Sequence, residues 1–450
     1  MNRAGDGWQA QRAADLKGRS ALHLLRILVW LTLAWAGGTG ALSASPATGP
    51  QLRYVVIITR HGVRSPTWTS ERLNPYAAEP WPDWGVPPGY LTPHGRVLMQ
   101  LMGTYYREWL ASEHLLSPQG CGDVGRVYIH ADTDQRTIET GHALAETLLP
   151  GCPVDVHSVA GGGKDPLFDP IEAGIAKPDW EIAAQAVRER LGDNPKQFID
   201  LHVGALETLQ IVLSGKGNTP KKPIVPPQEI TVTATEKSIK LNEPWNLAST
   251  LSENLLLEYT DGMQGKDLGW GRLNADNLLR ILDLHAVSSD LTRRTLYLAQ
   301  ARGSNLLDHV LRSMEQAETG KAVPGALGPA GPAVLILSGH DTNLANLSGI
   351  LGLSWHLAGY PPDETPPGGA LIFSLFQHPD TGQYFVRTQY LAQTLEQMRN
   401  ATPLTLAAPP AKEDVTVKGC EPATASKGCP WETFEKSLQK AIDPRFVATN

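Results

Sequence analysis

The sequence predicts an α/β fold: a mixed central sheet flanked by helices, with a mainly helical subdomain inserted into it. Three observations carry this reading. Short, β-branched apolar runs alternate with helix-like stretches in both outer parts of the chain, the pattern of a sheet covered on both faces. Two neighbouring apolar runs late in the chain look like a closing hairpin. The stretch between these parts shows helical periodicity instead.

The elements follow in order. Tyr54–Thr59 is a short apolar run suited to a central strand, and after a Pro- and Trp-rich loop Gly95–Leu110 reads as a helix opened by Thr92–Pro93. Arg126–Ala131 ("RVYIHA") is a second strand and Thr133–Leu148 a second helix. Ala333–Ser338 ("AVLILS") is a third strand followed by helical Asn343–Leu351, and Ala370–Phe376 with Tyr384–Tyr390 forms the hairpin. The helical stretch is interrupted by "GKGNTPKKPIVPPQE", a Pro/Lys-rich loop. The sheet domain is therefore expected over residues 44–178 and 317–450, and the insert over residues 179–316.

Residues 1–43 stand apart. Arg12, Lys17, Arg19 and Arg26 precede the apolar run "ILVWLTLAWA" and then small residues, the order of a secretory signal peptide with cleavage near Ser43 or Ala44. The apolar run falls short of the ~20 residues that span a bilayer, which weighs against a stable membrane anchor. The protein is expected in the periplasm or outside the cell. Removing the leader shifts the net charge from −7 to −10, with 34 basic residues against 44 acidic. So acidic a chain is a poor partner for nucleic acid, and any anion must be held by a local cationic pocket.

The four cysteines admit three pairings. Cys420 and Cys429 lie close enough to clip a loop, whereas Cys121 and Cys152 flank a strand and a helix whose antiparallel packing brings them back together. Export favours two disulfides, and no paired CxxC spacing supports zinc.

Two strands end in matching chemistry: one runs into Arg60–His61–Gly62, the other into Gly339–His340–Asp341. A third is followed by Asp132, Asp134 and Arg136. Ligands in open α/β sheets sit beyond the carboxyl ends of strands, so these ends are expected to converge on one pocket. Arginine clusters suit phosphate through their planar fork of donors and permanent charge. They also disfavour imidazolium, keeping His61 neutral and nucleophilic. Gly62 is expected to let the backbone approach the phosphate. Asp341 is expected to protonate the leaving oxygen, which needs its acid form and hence mildly acidic pH.

"RHGVRSP" resembles the signature of the histidine acid phosphatases, a branch of the histidine phosphatase superfamily, and "GHDTN" is similar to its second motif. The resemblance extends in order through "LTPHG", "ADTDQRT", "DPLFDP", "SENLLLEYTDGM", "GWGR", "TPPGG" and "QTLEQMR". It implies a phosphoglycerate mutase-like α/β domain with a mainly helical second domain and the active site between them. Residue by residue, it implies His61 as the nucleophile that becomes phosphohistidine and Asp341 as the proton donor. Arg60, Arg64, Arg136 and His340 would bind the phosphoryl group. It also implies Cys121–Cys152 and Cys420–Cys429 as the disulfides, and no metal or organic cofactor.

Within the family the similarity is greatest to bacterial periplasmic phytases that are also acid phosphatases, with glucose-1-phosphatases next. The expected activity is acid hydrolysis of phytate and other small phosphate monoesters by a monomer. Thr67, Asp132 and Glu253 match positions lining the phytase pocket. Trp68, however, stands where phytases of this group often carry lysine, and an aromatic face there suits a sugar ring. With the loop "WPDWGVPPGYLTPHG" it keeps a glucose-1-phosphatase or broad sugar phosphatase as the alternative. Trp81 and Trp84 are expected to hold that loop on the core.

Other features carry less. "AGGGKD" lacks the spacer and the Ser/Thr of a P-loop. A divalent cation at His61, His340 and Asp341 would be repelled by three arginines, Lys221–Lys222 reads as a solvated loop, and the sequons at Asn346 and Asn400 matter only in a glycosylating host. The export signal and inserted helices argue against a mutase, and the intact catalytic set against a phosphate-binding relic.

Overall fold

The computed structural model describes residues 49–215, 219–421 and 428–449. The leader expected over residues 1–43, with its cleavage point, lies outside the described residues. The chain enters through β1 (Gln51–Arg60) and continues through α1 (Ser70–Leu73), α2 (Pro93–Ser112), β2 (Val127–Ala131), α3 (Gln135–Leu148) and β3 (Val156–His157). A helical stretch follows: α4 (Trp180–Leu191), α5 (Pro195–Ser214), the hairpin β4 (Val232–Ala234) and β5 (Ile239–Leu241), α6 (Trp245–Thr260), α7 (Ala275–Thr292) and α8 (Leu296–Thr319). The last part holds β6 (Val334–Gly339), α9 (Asp341–Leu351), β7 (Ala370–Gln377), β8 (Tyr384–Ala392), α10 (Leu395–Arg399), β9 (Ala411–Asp414), β10 (Cys429–Pro430) and α11 (Trp431–Ala441).

Eight strands form one mixed sheet in the order β10-β8-β7-β1-β6-β2-β3, with β9 against β8, and β4 and β5 pair apart from it. β1, β6, β2 and β3 run parallel, and the β7–β8 hairpin adds the antiparallel side. β1 is central, and its unbroken apolar run follows from being covered on both faces. Its alternate residues feed two cores. Val55 and Ile57 join Met99, Tyr106 and Leu144 of α2 and α3, whereas Val56 and Ile58 join Leu307, Leu344 and Leu347 of α8 and α9. The second core runs on into the helical stretch through Leu206, Leu255 and Leu282. Each fully buried side chain of this kind contributes roughly 1.5–3 kcal/mol.

Two close approaches fix the layers around the site. Thr92 caps α2 by accepting the Gly95 N–H at 2.8 Å, and a Cβ on Gly95 would lie 2.1 Å from the Val63 carbonyl oxygen. The start of α2 is thereby pressed onto the turn that follows His61. On the other face a Cβ on Gly303 of α8 would stand 2.8 Å from Ile350 Cδ1 of α9. The short β4–β5 pair, just beyond the Pro/Lys-rich loop, is an element the helical reading of this stretch left out. Cys121 pairs with Cys152 and Cys420 with Cys429, each pair with Cα atoms 5.4 Å apart. Among the described residues no helix is long and apolar enough to cross a membrane.

Candidate active site

Strand register brings the three predicted strand ends together. Arg60 of β1 lies opposite Gly339 of β6, and Ala131 of β2 opposite Ser338, so the next residues, His61, His340 and Asp132, emerge side by side. His61 N–H donates to the Gly339 carbonyl at 2.9 Å, and Asp132 N–H to that of Ser338 at 3.0 Å. The His61 and His340 rings stand edge to face with centroids 5.6 Å apart.

His61 is buried, and its Nδ1 lies 2.8 Å from the Gly62 carbonyl oxygen, which can only accept. The ring proton is therefore on Nδ1, and Nε2 keeps its lone pair. Burial holds the imidazole well below its usual pKa, and the charges of Arg136, Arg60 and Arg64 push the same way. A neutral imidazole among guanidinium groups is the combination the sequence suggested: a nucleophile for an electrophile that is itself anionic.

The arginines are held from behind. Arg60 is fully buried, donates to the Thr365 carbonyl at 2.6 Å and forms an ion pair with Glu253 of α6. Arg64 donates to the same Glu253 oxygen at 3.1 Å. Glu253 is thus the shared counter-ion of two arginines. Burial would raise its carboxyl pKa, but Arg64 and Arg60 bring it down to about 2. Arg136 donates to Asp134 at 2.6 Å and to the Gly89 carbonyl at 3.3 Å. The Nε atoms of Arg60, Arg64 and Arg136 are buried without a hydrogen-bond partner among the described residues, so an anion entering the cluster meets unused donors.

His340 Nε2 donates to Asp132 at 2.6 Å, and its Nδ1 lies 3.4 Å from Arg136 Nη2. Burial pushes the Asp132 carboxyl up, but His340 and the Thr133 N–H outweigh it and keep it ionised.

Asp341 sits in a network the sequence did not reveal. Its Oδ2 forms an ion pair with Arg293, just beyond α7, and lies 3.6 Å from Nε2 of His285 on α7. His285 is buried, and its Nδ1 donates to Glu364 at 2.9 Å. Burial would lower the His285 pKa, but Glu364 and Asp341 push it up to about 9. Asp341 therefore faces two cations. Burial raises its carboxyl, yet Arg293, Arg60 and His285 together hold it well below the usual range. A titratable residue on the buried stripe of α7, beside Ile281 and Leu282, was the available signal for His285; nothing marked Arg293.

Gly62 serves a different purpose from the one expected. Its N–H donates to Thr140 Oγ1 at 3.0 Å, and a Cβ there would lie 2.8 Å from Met99 Cγ and 2.9 Å from the Gly95 carbonyl oxygen. It makes room for α2, and its amide is already engaged. Thr67 is exposed at the rim, and Trp68 is half-buried with the Arg72 guanidinium stacked 3.4 Å from its ring centroid. Trp81 is buried and meets Trp270 edge to face at 5.0 Å, holding its loop to the core as expected.

Among the described residues two side-chain groups offer a metal-like set: Asp132, Asp134 and His340; and Glu253, His285 and Asp341. In each, arginine already occupies carboxylates: Arg136 on Asp134, Arg293 on Asp341, and Arg60 and Arg64 on Glu253. A divalent cation would have to displace a guanidinium.

Comparison with known proteins agrees with this geometry. Residues 51–390 match the description of the Histidine phosphatase superfamily (branch 2). The phytase AppA of Escherichia coli K12 is 35% identical over 421 residues, covering 89% of this chain and 95% of that protein. A glucose-1-phosphatase of Providencia rettgeri is 27% identical over 405 residues, covering 87% and 92%. The structure of Hafnia alvei phytase in complex with myo-inositol hexakis sulphate superposes with a TM-score of 0.82 at 33% identity, covering 90% of this chain and 100% of that one. The chain belongs to the histidine phosphatase superfamily, branch 2.

Proposed function

We propose that the protein is an acid phosphomonoesterase that hydrolyses phytate and other phosphate monoesters through a phosphohistidine at His61. The observation that carries this reading is the buried, neutral His61 ring, with its proton on Nδ1 and with Arg60, Arg64 and Arg136 around it. In the first step Nε2 attacks phosphorus, the P–O ester bond breaks, and the leaving oxygen takes a proton from Asp341. In the second, water attacks the phosphohistidine, gives its proton to the Asp341 carboxylate, and frees phosphate and His61. The arginines stabilise the transferring group in both steps, and His340 binds it beside Arg136.

Asp341 must gain a proton before it can give one. An incoming phosphoryl group places negative charge beside its carboxylate and competes for Arg60, and both effects favour the acid form. Mildly acidic medium supplies the proton. The likeness to proteins named phytase supports phytate as a substrate. A sugar phosphate is the second reading. An open hollow of ≈ 290 Å³ lined by Pro66, Trp68, Trp81 and Trp84 favours it, because indole faces suit sugar rings.

We further propose that residues 1–43 export the chain to the periplasm or beyond, and that it works as a monomer. Residues 179–316 are taken as a subdomain that brings Glu253, His285 and Arg293 to the carboxyl ends of β1 and β6. The test is phosphate release from phytate, glucose 1-phosphate and an aryl phosphate between acidic and neutral pH, each with His61→Ala as control. Phytate leading at acid pH, with a dead variant, is expected. Glucose 1-phosphate leading would select the second reading, and activity surviving in the variant would overturn the mechanism.

A further inference from the structure

The segment after the Arg64 turn carries cations that the catalytic site does not use. Arg72 lies on α1, a single turn anchored by buried Leu73 and by the Arg72 N–H donating to the Thr69 carbonyl at 3.0 Å. Its guanidinium carbon stands 3.4 Å from the Trp68 ring centroid, close enough for a flat stack that fixes the group in place. Beside it the Trp68 and Tyr76 rings are 6.5 Å apart, and Lys222 Nζ sits 5.5 Å over Tyr76. The Lys222 N–H donates to the Pro75 carbonyl at 2.8 Å, which ties the Pro/Lys-rich loop to this row. Among the described residues neither Arg72 nor Lys222 has an ion pair or a side-chain hydrogen bond.

The nearby acids do not neutralise the row. Glu71 turns to its own amide and the Thr69 hydroxyl, and Asp83 accepts the Gly85 N–H at 3.0 Å. Glu243 lines the hollow next to Lys222 without pairing with it.

The row also borders the reaction centre. Gly89 N–H donates to the Pro66 carbonyl at 2.9 Å, and the Gly89 carbonyl accepts from Arg136 at 3.3 Å. A Cβ on Gly89 would lie 3.4 Å from Arg136 Nη1 and 3.6 Å from Thr67 Cγ2. Thr67, next to Trp68, is therefore on the Arg136 side of the mouth.

We propose that Arg72 stacked on Trp68, with Lys222 over Tyr76, forms a second anion subsite on this rim. It takes phosphate groups that are not being cleaved, so the site favours a compact polyphosphorylated polyol over a monophosphate. This rests on the phosphatase reading above. The stack holds the guanidinium with its N–H donors unspent, so little ordering is left for binding to bring about. Trp68 thus supports a cation instead of merely replacing one.

The test is calorimetric binding of two probes that are not turned over, myo-inositol hexakissulfate and inorganic phosphate, to the mature protein and to Arg72→Met, Lys222→Met, the double variant and Arg72→Lys. Hexakissulfate affinity should fall about three- to tenfold in Arg72→Met, as for one exposed charge-assisted contact. It should fall further in the double variant and recover in part in Arg72→Lys, while phosphate affinity stays within about twofold throughout. The proposal is overturned if hexakissulfate affinity is unchanged, if both probes weaken together, or if the wild type does not bind hexakissulfate. A wild type that binds hexakissulfate in this way yet releases no phosphate from phytate contradicts the assigned substrate and leaves the subsite standing.

Discussion

Replacing Arg293 with methionine should move the basic limb of the pH–rate profile upward. Arg293 contacts the Asp341 carboxylate directly and is the strongest of the charges that hold it ionised. Removing a paired guanidinium raises a carboxyl by about 1–3 units, or about 1.4–4 kcal/mol between its two forms. His285, pushed up to about 9, stays cationic below that pH and keeps part of the hold, so the lower end of this range is expected. The sign follows from the role. In the proposed mechanism Asp341 donates a proton, so its acid form is the active one and a higher pKa extends activity toward neutral pH. The assay is kcat against pH with an alkyl phosphate, whose poor leaving oxygen needs the proton; a nitrophenolate leaves unaided and would hide the effect. Arg293→Lys should keep the limb near its wild-type position. A basic limb that stays put in Arg293→Met, or moves down, would refute either the proton-donor role or the hold Arg293 has on it.

Two further outcomes test the physical account away from the proton donor. Glu258 is fully buried, and burial pushes its carboxyl from 4.5 up to about 8, only partly offset by the Gly269 N–H at 2.8 Å. Between those values the folded chain holds a proton that the unfolded chain releases, so this group's contribution is fully favourable below about 4.5 and declines as pH rises toward 8. Glu258→Gln should therefore raise the melting temperature at pH 7, where the cost is about 3 kcal/mol, and leave it unchanged at pH 4; equal shifts at both pH values would contradict this. Gly62→Ala forces a methyl to within 2.8 Å of Met99 Cγ and 2.9 Å of the Gly95 carbonyl. Overpacking of this kind costs about 1–3 kcal/mol, so thermal denaturation should come earlier and activity fall with the displaced His61. A variant as stable and active as wild type would show that the turn has room to give.

Much of this architecture was legible because the sheet writes itself into local sequence. β1 and β6 are covered on both faces, so they read as unbroken apolar runs, and each run stops where the chain meets the pocket, at Arg60–His61 and Gly339–His340. Parallel register does the rest. What stayed hidden came from helices far along the chain. Glu253 lies 193 residues from Arg60, and Arg293 lies 48 from Asp341; no local pattern records that they meet. Glu253 was expected to line the substrate pocket, and its work as counter-ion to two arginines appears only when α6 is in place. Gly62 was assigned to phosphate because the sequence shows where the glycine stands, not that α2 presses on it. No local pattern marks Arg72 either; the folded segment alone lays its guanidinium over the Trp68 ring.

The central claim is a covalent phosphoryl group on His61 Nε2. Rapid quenching of the mature protein with a radiolabelled phosphate ester, followed by separation under alkaline conditions that preserve phosphoramidates, tests it most directly. The account predicts label that is lost in acid, survives base, maps to the peptide containing His61 and is missing from His61→Ala. Label on another residue, or full turnover with no labelled enzyme at any time point, would contradict it.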